Sequence, residues 1–198
     1  MYYIFAMNDE TILREIRERR AYRALSPRPV PREVLERLLH AATLAPSCMN
    51  KQPWRFLVAL SEEARGKVAA HLSPGNYWAK EAPAYILVVT APELDCRLDD
   101  RREYALFDTG MAVMGLLLQA THEGLYAHPM AGFDSPGLRK AFGISERAVP
   151  VTVIALGYPG DASTLNEKHR ELETGPRVRR PLSEVVFWDT WDEAAALG

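Results

Sequence analysis

Cysteine is scarce in this chain: its 198 residues hold two, Cys48 and Cys96. Two cysteines make no disulfide framework, and so low a content suits a reducing cytosol. Neither sign of charge dominates. The 24 basic and 26 acidic residues leave a net charge of -2, which argues against a nucleic-acid binder, whose affinity rests on an excess of Lys and Arg facing phosphates. There is no long apolar run either. The longest near the middle, residues 111–118, is far shorter than the roughly 20 residues of a membrane-spanning helix. The opening "MYYIFAMNDE" has no basic leader and no small-residue cleavage site, so no secretory signal is expected. Several motifs are also missing: G-x-G-x-x-G, a Walker loop, H-E-x-x-H and C-x-x-C. The five histidines (His40, His71, His122, His128 and His169) show no ligand spacing. The sequence therefore predicts neither a metal centre nor a dedicated dinucleotide domain.

What remains is an ordinary globular composition, 47% hydrophobic and 25% charged, enough for one domain over 1–198 with a sizeable core. Residues 1–8 read as an extension ahead of it. After Asn8 and Asp9, Ile12, Leu13 and Ile16 recur at helical spacing. That helix is expected to run into the basic cluster "RERRAYR", with Arg19, Arg20 and Arg23 closing it. Pro31 stands where a first helical residue should, ahead of the stripe Val34, Leu35, Leu38, Leu39 and Ala42. Residues 56–60 and 85–90 read as strands, with a helix starting at Ser61 between them. The stretch 104–123 reads as a helix whose first 19 residues carry one charge, Asp108. A helix apolar nearly all round must be buried, at the centre of the domain or in a subunit interface. A short helix over 136–142 stopped by Gly143, a strand over 151–156, an irregular tail from 157 and an extended segment over 181–188 complete the reading. Helices and strands interleave without a regular βαβ rhythm, which predicts an α+β layered fold.

Three stretches could carry chemistry. "APSCMNKQPW", residues 45–54, continues neither neighbouring element. Ser47 or Cys48 could be a nucleophile, but G-x-S-x-G is absent and no base for the cysteine is evident. Alternatively Ser47, Asn50 and Gln52 offer a hydroxyl and two amides to a flat heteroaromatic edge, or simply satisfy their own loop. The arginines at 19, 20 and 23 could be a solvated cationic turn or, with the distant Arg177, Arg179 and Arg180, a phosphate clamp, since the guanidinium presents paired planar donors. In "AHPMAGFD", residues 127–134, Pro129 lacks an N–H and Gly132 admits close approach of a ligand to the backbone.

Together these stretches resemble the nitroreductase-like family of FMN flavoproteins. "RRAYR" resembles its R-R-S-x-R motif, and "APSCMNKQPWRF" resembles A-P-S-x-x-N-x-Q-P-W-x-F at every fixed position. "GLYAHPMAGFD" resembles its G-L-x-x-x-x-x-x-G-F segment, and "IALGYPGD" with "RVRRPLSEVVF" resembles its C-terminal run. The resemblance implies a mostly antiparallel sheet flanked by helices, an arm over 157–198 reaching a partner subunit, and a cytoplasmic homodimer with FMN at each interface site. It assigns the flavin phosphate and pyrimidine edge to Arg19, Arg20, Ala21, Arg23, Arg177 and Arg179, and the approach from the other subunit to Pro46, Ser47 and Asn50, with Gln52 of the same signature either joining them or only bracing the loop. Pro129, Met130, Ala131 and Gly132 would line the ring, with the backbone of Ala131 and Gly132 near flavin N5. The implied activity passes a hydride from transiently bound NAD(P)H through the flavin to a nitroaromatic, quinone or similar acceptor, with no metal. A flavin-binding protein without turnover, or a specialised dehalogenase or dehydrogenase, is the alternative. Ala21 stands where the family usually has Ser, and Ala131 where some members have Glu, so a hydroxyl ligand and an acidic pocket group are both missing.

Overall fold

The structure, a computed structural model, describes residues 11–197. Residues 1–8, and the caps expected at Asn8 and Asp9, lie outside them. Seven α-helices are described: α1 (Arg14–Glu18), α2 (Arg32–Thr43), α3 (Glu62–Ala70), α4 (Tyr104–His122), α5 (Ser135–Phe142), α6 (Glu167–Thr174) and α7 (Glu193–Leu197). Four strands, β1 (Arg55–Ala59), β2 (Ala84–Thr90), β3 (Tyr126–Met130) and β4 (Val149–Gly157), form one sheet in the order β1-β2-β4-β3, every pairing antiparallel. The α+β layering expected from the sequence is present.

Side chains alternate across a strand, and here both faces are covered. Ala84, Ile86 and Val88 of β2, with Ile154 and Leu156 of β4, face one core with Leu35, Leu38 and Ala42 of α2 and Ala112, Leu116 and Ala120 of α4. Tyr85 and Leu87, with Val153 and Ala155, face a second core containing Val68, Leu72, Trp78 and Leu138. A strand buried on both faces reads as a continuous apolar run, which is why "AYILVVT" stands out in the sequence. Gly115 lets α2 and α4 close up: a Cβ there would sit 3.1 Å from the carbonyl oxygen of Ala41.

The structure departs from the sequence expectations in several places. The arginine cluster does not close the first helix. That helix stops at Glu18, and Arg19 already has extended backbone (φ -57°, ψ 126°). Pro31 is the N-cap of α2 and not its first residue. Residues 126–130 form β3, an edge strand where Pro129 costs no ladder bond to a further neighbour. The tail contains α6, and residues 181–188 hold a short 3₁₀ turn, Leu182–Glu184, with no strand. The two cysteines, read as unpaired, are joined as a Cys48–Cys96 disulfide. Among the described residues no helix is long and apolar enough to cross a membrane.

Candidate functional site

Residues 19–25 leave α1 as an extended segment held from three sides. Glu173 of α6, 7% exposed, accepts the backbone N–H groups of Arg23 (2.9 Å) and Ala24 (2.9 Å) through its carboxylate. His128 of β3 meets the carbonyl of Tyr22 through Nδ1 at 3.0 Å. Beyond β4, the N–H of Gly160 donates to the carbonyl of Ala24 at 2.9 Å. A Cβ on Gly160 would lie 2.5 Å from the carbonyl carbon of Leu25, so this contact needs glycine.

This framework brings Arg20 and Arg23 of the first cluster together with Arg177 and Arg179 of the second in one cleft of about 450 Å³, which Ala21 and Glu171 also line. Arg19 and Arg180 do not line it, and Arg19 borders a neighbouring cleft with Arg14 and Arg17. The arginines are not equivalent. Arg177 spends its guanidinium on the carbonyls of Ile16 (3.2 Å), Arg17 (2.6 Å) and Arg19, the open C-terminal end of α1. Arg20 reaches the carbonyl of Leu172 at 3.3 Å. The guanidinium groups of Arg23 and Arg179 bond only to the carbonyls of Ala21 and Val178 among the described residues, which leaves most of their side-chain donors uncommitted in two residues that line the cleft. Burial holds the Arg19 guanidinium below its ordinary pKa, and the charges of Arg177 and Arg179 lower it further. Glu171 is the one carboxylate that lines the cleft beside Arg20, Arg23, Arg177 and Arg179, so its balance of charge is positive, which suits an oxyanion.

Residues 129–132, which the resemblance assigns to the ring, follow His128 along β3 and just past its end, and so adjoin this region. His128 is buried, its ring 4.5 Å from that of Trp78. Burial, with the charge of Arg23 nearby, pushes its pKa down to about 4, so the imidazole is neutral at neutral pH. At the end of β3 the carbonyl of Gly132 accepts from the backbone of Ser73 (3.0 Å) and from Nδ2 of Asn76 (2.8 Å). The carbonyl of Met130 takes the Thr152 hydroxyl at 3.0 Å. Pro129 and Ala131 flank these anchors, Ala131 exposed. Sequence reasoning assigned no role to Asn76, because a lone amide in a short 3₁₀ segment carries no local signal.

The loop of residues 45–54 stands elsewhere. It is strained: Met49 (φ 48°), Asn50 (φ 55°) and Gln52 (φ 50°) all have left-handed backbone. Internal bonds hold that shape. Ser47 Oγ accepts the N–H of Gln52 at 2.9 Å, and the Gln52 amide donates to Asn50 Oδ1 at 3.1 Å. Gln52 is therefore a brace. Thr90 Oγ1 donates to the carbonyl of Pro53 at 3.0 Å. The buried Asp108 of α4 accepts the N–H of Cys48 at 2.7 Å. That aspartate, the lone charge in an apolar helix, was a visible signal whose purpose only the contact reveals. Pro46, Ser47 and Cys48 border a separate cleft with Arg102, Phe107 and Asp108. It shares no lining residue with the arginine cleft. Within one chain the expected site residues thus fall into two groups. The nucleophile reading loses ground, since Cys48 is bonded to Cys96 and Ser47 Oγ serves its own loop.

Similarity to known proteins extends over most of the chain. The model of the nitroreductase family matches residues 16–76 and 72–158. A protein from Thermus thermophilus named NADH dehydrogenase is 31% identical, over 86% of this chain and 92% of that one. An iodotyrosine deiodinase from Haliscomenobacter hydrossis is 28% identical, over 77% and 81%. Among solved structures, an oxidoreductase containing FMN superposes with a TM-score of 0.82 at 30% identity, covering 90% of this chain and 91% of that one. The chain belongs to the nitroreductase family. It is accordingly an enzyme, an oxidoreductase of that family.

Proposed function

We propose that the chain is an FMN-dependent NAD(P)H oxidoreductase working as a cytoplasmic homodimer. The observation that carries this reading is the convergence of Arg20 and Arg23 with Arg177 and Arg179 on one cleft, where Glu171 is the one carboxylate in the lining and positive charge is in excess. The dianionic phosphate of FMN matches that excess, and Arg23 and Arg179, with the most donors to spare, are its main ligands. Arg177 and Gln52 are braces, and Ala21 contributes backbone only. Bound there, FMN supplies the hydride chemistry between NAD(P)H and a small acceptor. The protein's part is to bind, orient and exclude water. Pro129 to Gly132, fixed by Ser73, Asn76 and Thr152, give the ring a rigid edge.

Pro46, Ser47 and Asn50 serve the flavin held by the other subunit, which accounts for their distance from the arginine cleft in a single chain. Supporting the dimer, α4 is buried on one side only. Leu106, Phe107 and Met114 are 45%, 57% and 47% exposed, and in the tail Trp188 and Trp191 are 84% and 60% exposed. So much apolar surface marks an interface. The acceptor is a nitroaromatic, a quinone or a similar small oxidant, and the deiodinase relative supports including a halogenated phenol in the assays.

The test is the visible spectrum of the purified protein before and after anaerobic addition of NADPH or NADH. Flavin bands that bleach with nicotinamide and return with menadione or nitrofurazone are expected. A colourless protein that does not take up added FMN overturns the reading. Bound FMN with nicotinamide oxidation no faster than free FMN gives would make it a binding protein without turnover.

A further inference from the structure

We propose that the corner joining the 45–54 loop to the segment after β2 is, with its thiols reduced, a binding site for a thiophilic divalent cation, zinc above all. In the structure Cys48 and Cys96 are bonded, with Cα atoms 6.1 Å apart. A carboxylate converges with them: one ligand atom from each of Cys48, Asp95 and Cys96 lies within 4.8 Å of the others. A second carboxyl, Asp108, adjoins Asp95. Each carboxyl commits one oxygen to the backbone N–H of a cysteine. Asp95 Oδ1 takes that of Cys96 at 2.7 Å, and Asp108 Oδ2 takes that of Cys48 at 2.7 Å.

The second oxygen of each, Asp95 Oδ2 and Asp108 Oδ1, is buried and receives no donor among the described residues. The two residues are 7% and 0% exposed. Buried carboxyl oxygens are costly unless a donor, a proton or a cation meets them. A proton held between the two carboxyls is one way to satisfy the pair while the sulfurs are bonded to each other.

Reduction offers another. The disulfide takes two electrons and two protons from an external dithiol, which leaves as its own disulfide, and two thiols remain. On metal binding each thiol releases its proton to solvent, and two thiolates with the Asp95 carboxylate surround the ion. Thiolates select zinc and similar cations over calcium or magnesium. Zinc accepts this mixed sulfur and oxygen set in four-coordinate geometry. The fourth position goes to water, which the uncommitted oxygen of Asp108 can accept as a hydrogen-bond donor. Cys48 and Cys96 each border a surface cleft, so an ion can enter. Metal and disulfide would tie the same two chain segments together, keeping the loop of Ser47 and Asn50 in place under both reducing and oxidising conditions.

The test uses the purified full-length protein, reduced with a phosphine, freed of reductant without air and dialysed against zinc. Expected are one zinc per chain, protection of both cysteines from alkylation by iodoacetamide, and loss of both effects after oxidation with diamide. Cys96→Ser and Asp95→Asn should each weaken zinc binding about tenfold or more. Reduced wild type that binds no zinc, or that binds it with both thiols still alkylated at the metal-free rate, overturns the site. Undiminished affinity in either variant does the same. None of these readouts depends on flavin.

Discussion

Asp108 takes the backbone N–H of Cys48 at 2.7 Å across 60 positions of sequence, so helix α4 sets the shape of the loop that carries Ser47 and Asn50. Three left-handed residues in that loop persist only if their surroundings over-determine them. Asp108→Ala should lower stability by about 1–3 kcal/mol, the cost of stranding a buried donor, and should weaken FMN binding through the loop. Urea denaturation reads the first and flavin fluorescence titration the second. Wild-type values in both would remove the brace.

The same residue predicts a pH dependence. Burial raises the native pKa of Asp108 above its ordinary value of 3.8. The native state therefore holds the proton more tightly than the unfolded chain, and stability falls as pH rises from about the unfolded value through the raised native one. Asp108→Asn should flatten that part of the stability–pH curve. A variant with the wild-type slope there would show that Asp108 does not titrate as inferred.

His128 gives the opposite sign. Its pKa falls from 6.5 to about 4 on folding, so the native state resists a proton the unfolded chain accepts. The contribution is complete above pH 6.5 and is lost as pH falls towards 4, to a total of about 3 kcal/mol. The difference in urea midpoint between wild type and His128→Asn should narrow as pH drops through this window. A constant difference would count against a neutral, buried imidazole.

The arginines should separate by role. Arg23→Ala and Arg179→Ala should each weaken FMN binding by about 1.5–3 kcal/mol, the range for a lost charge-assisted bond. Arg177→Ala should chiefly lower the melting temperature, because its donors hold α1. Calorimetric titration with FMN beside thermal denaturation distinguishes these outcomes. Equal FMN loss in all three, with no stability change at Arg177, would erase the distinction.

The exposed side of α4 tests the dimer. Phe107→Asp places a charge in the apolar patch of Leu106, Phe107 and Met114, where an unpaired charge cannot be buried cheaply. It should yield monomers by light scattering and, since Ser47 and Asn50 then face no partner, weaker FMN binding. A dimer of undiminished affinity would move the interface elsewhere.

Much of this was legible in the sequence where one residue type had one physical reason to be there. The doubly buried β2, the α2 stripe and the Gly143 stop appear because burial and capping act locally and periodically. Strand β3 was hidden by His128 and Pro129, which an edge strand tolerates. Helix α6, "EKHRELET", was hidden because its one buried residue is the charged Glu173 and it has no apolar stripe to show. The motifs named the loop and both arginine clusters, but not how they divide the work. Only the tertiary structure decided that Glu173 fastens the arginine segment, that Arg177 turns to the end of α1 while Arg23 and Arg179 keep donors to spare, and that Cys48 meets Cys96 beside two buried carboxyls. These are contacts between segments 48 to 161 positions apart. No local periodicity encodes them, because they depend on how the sheet order and the packed helices return the chain to itself.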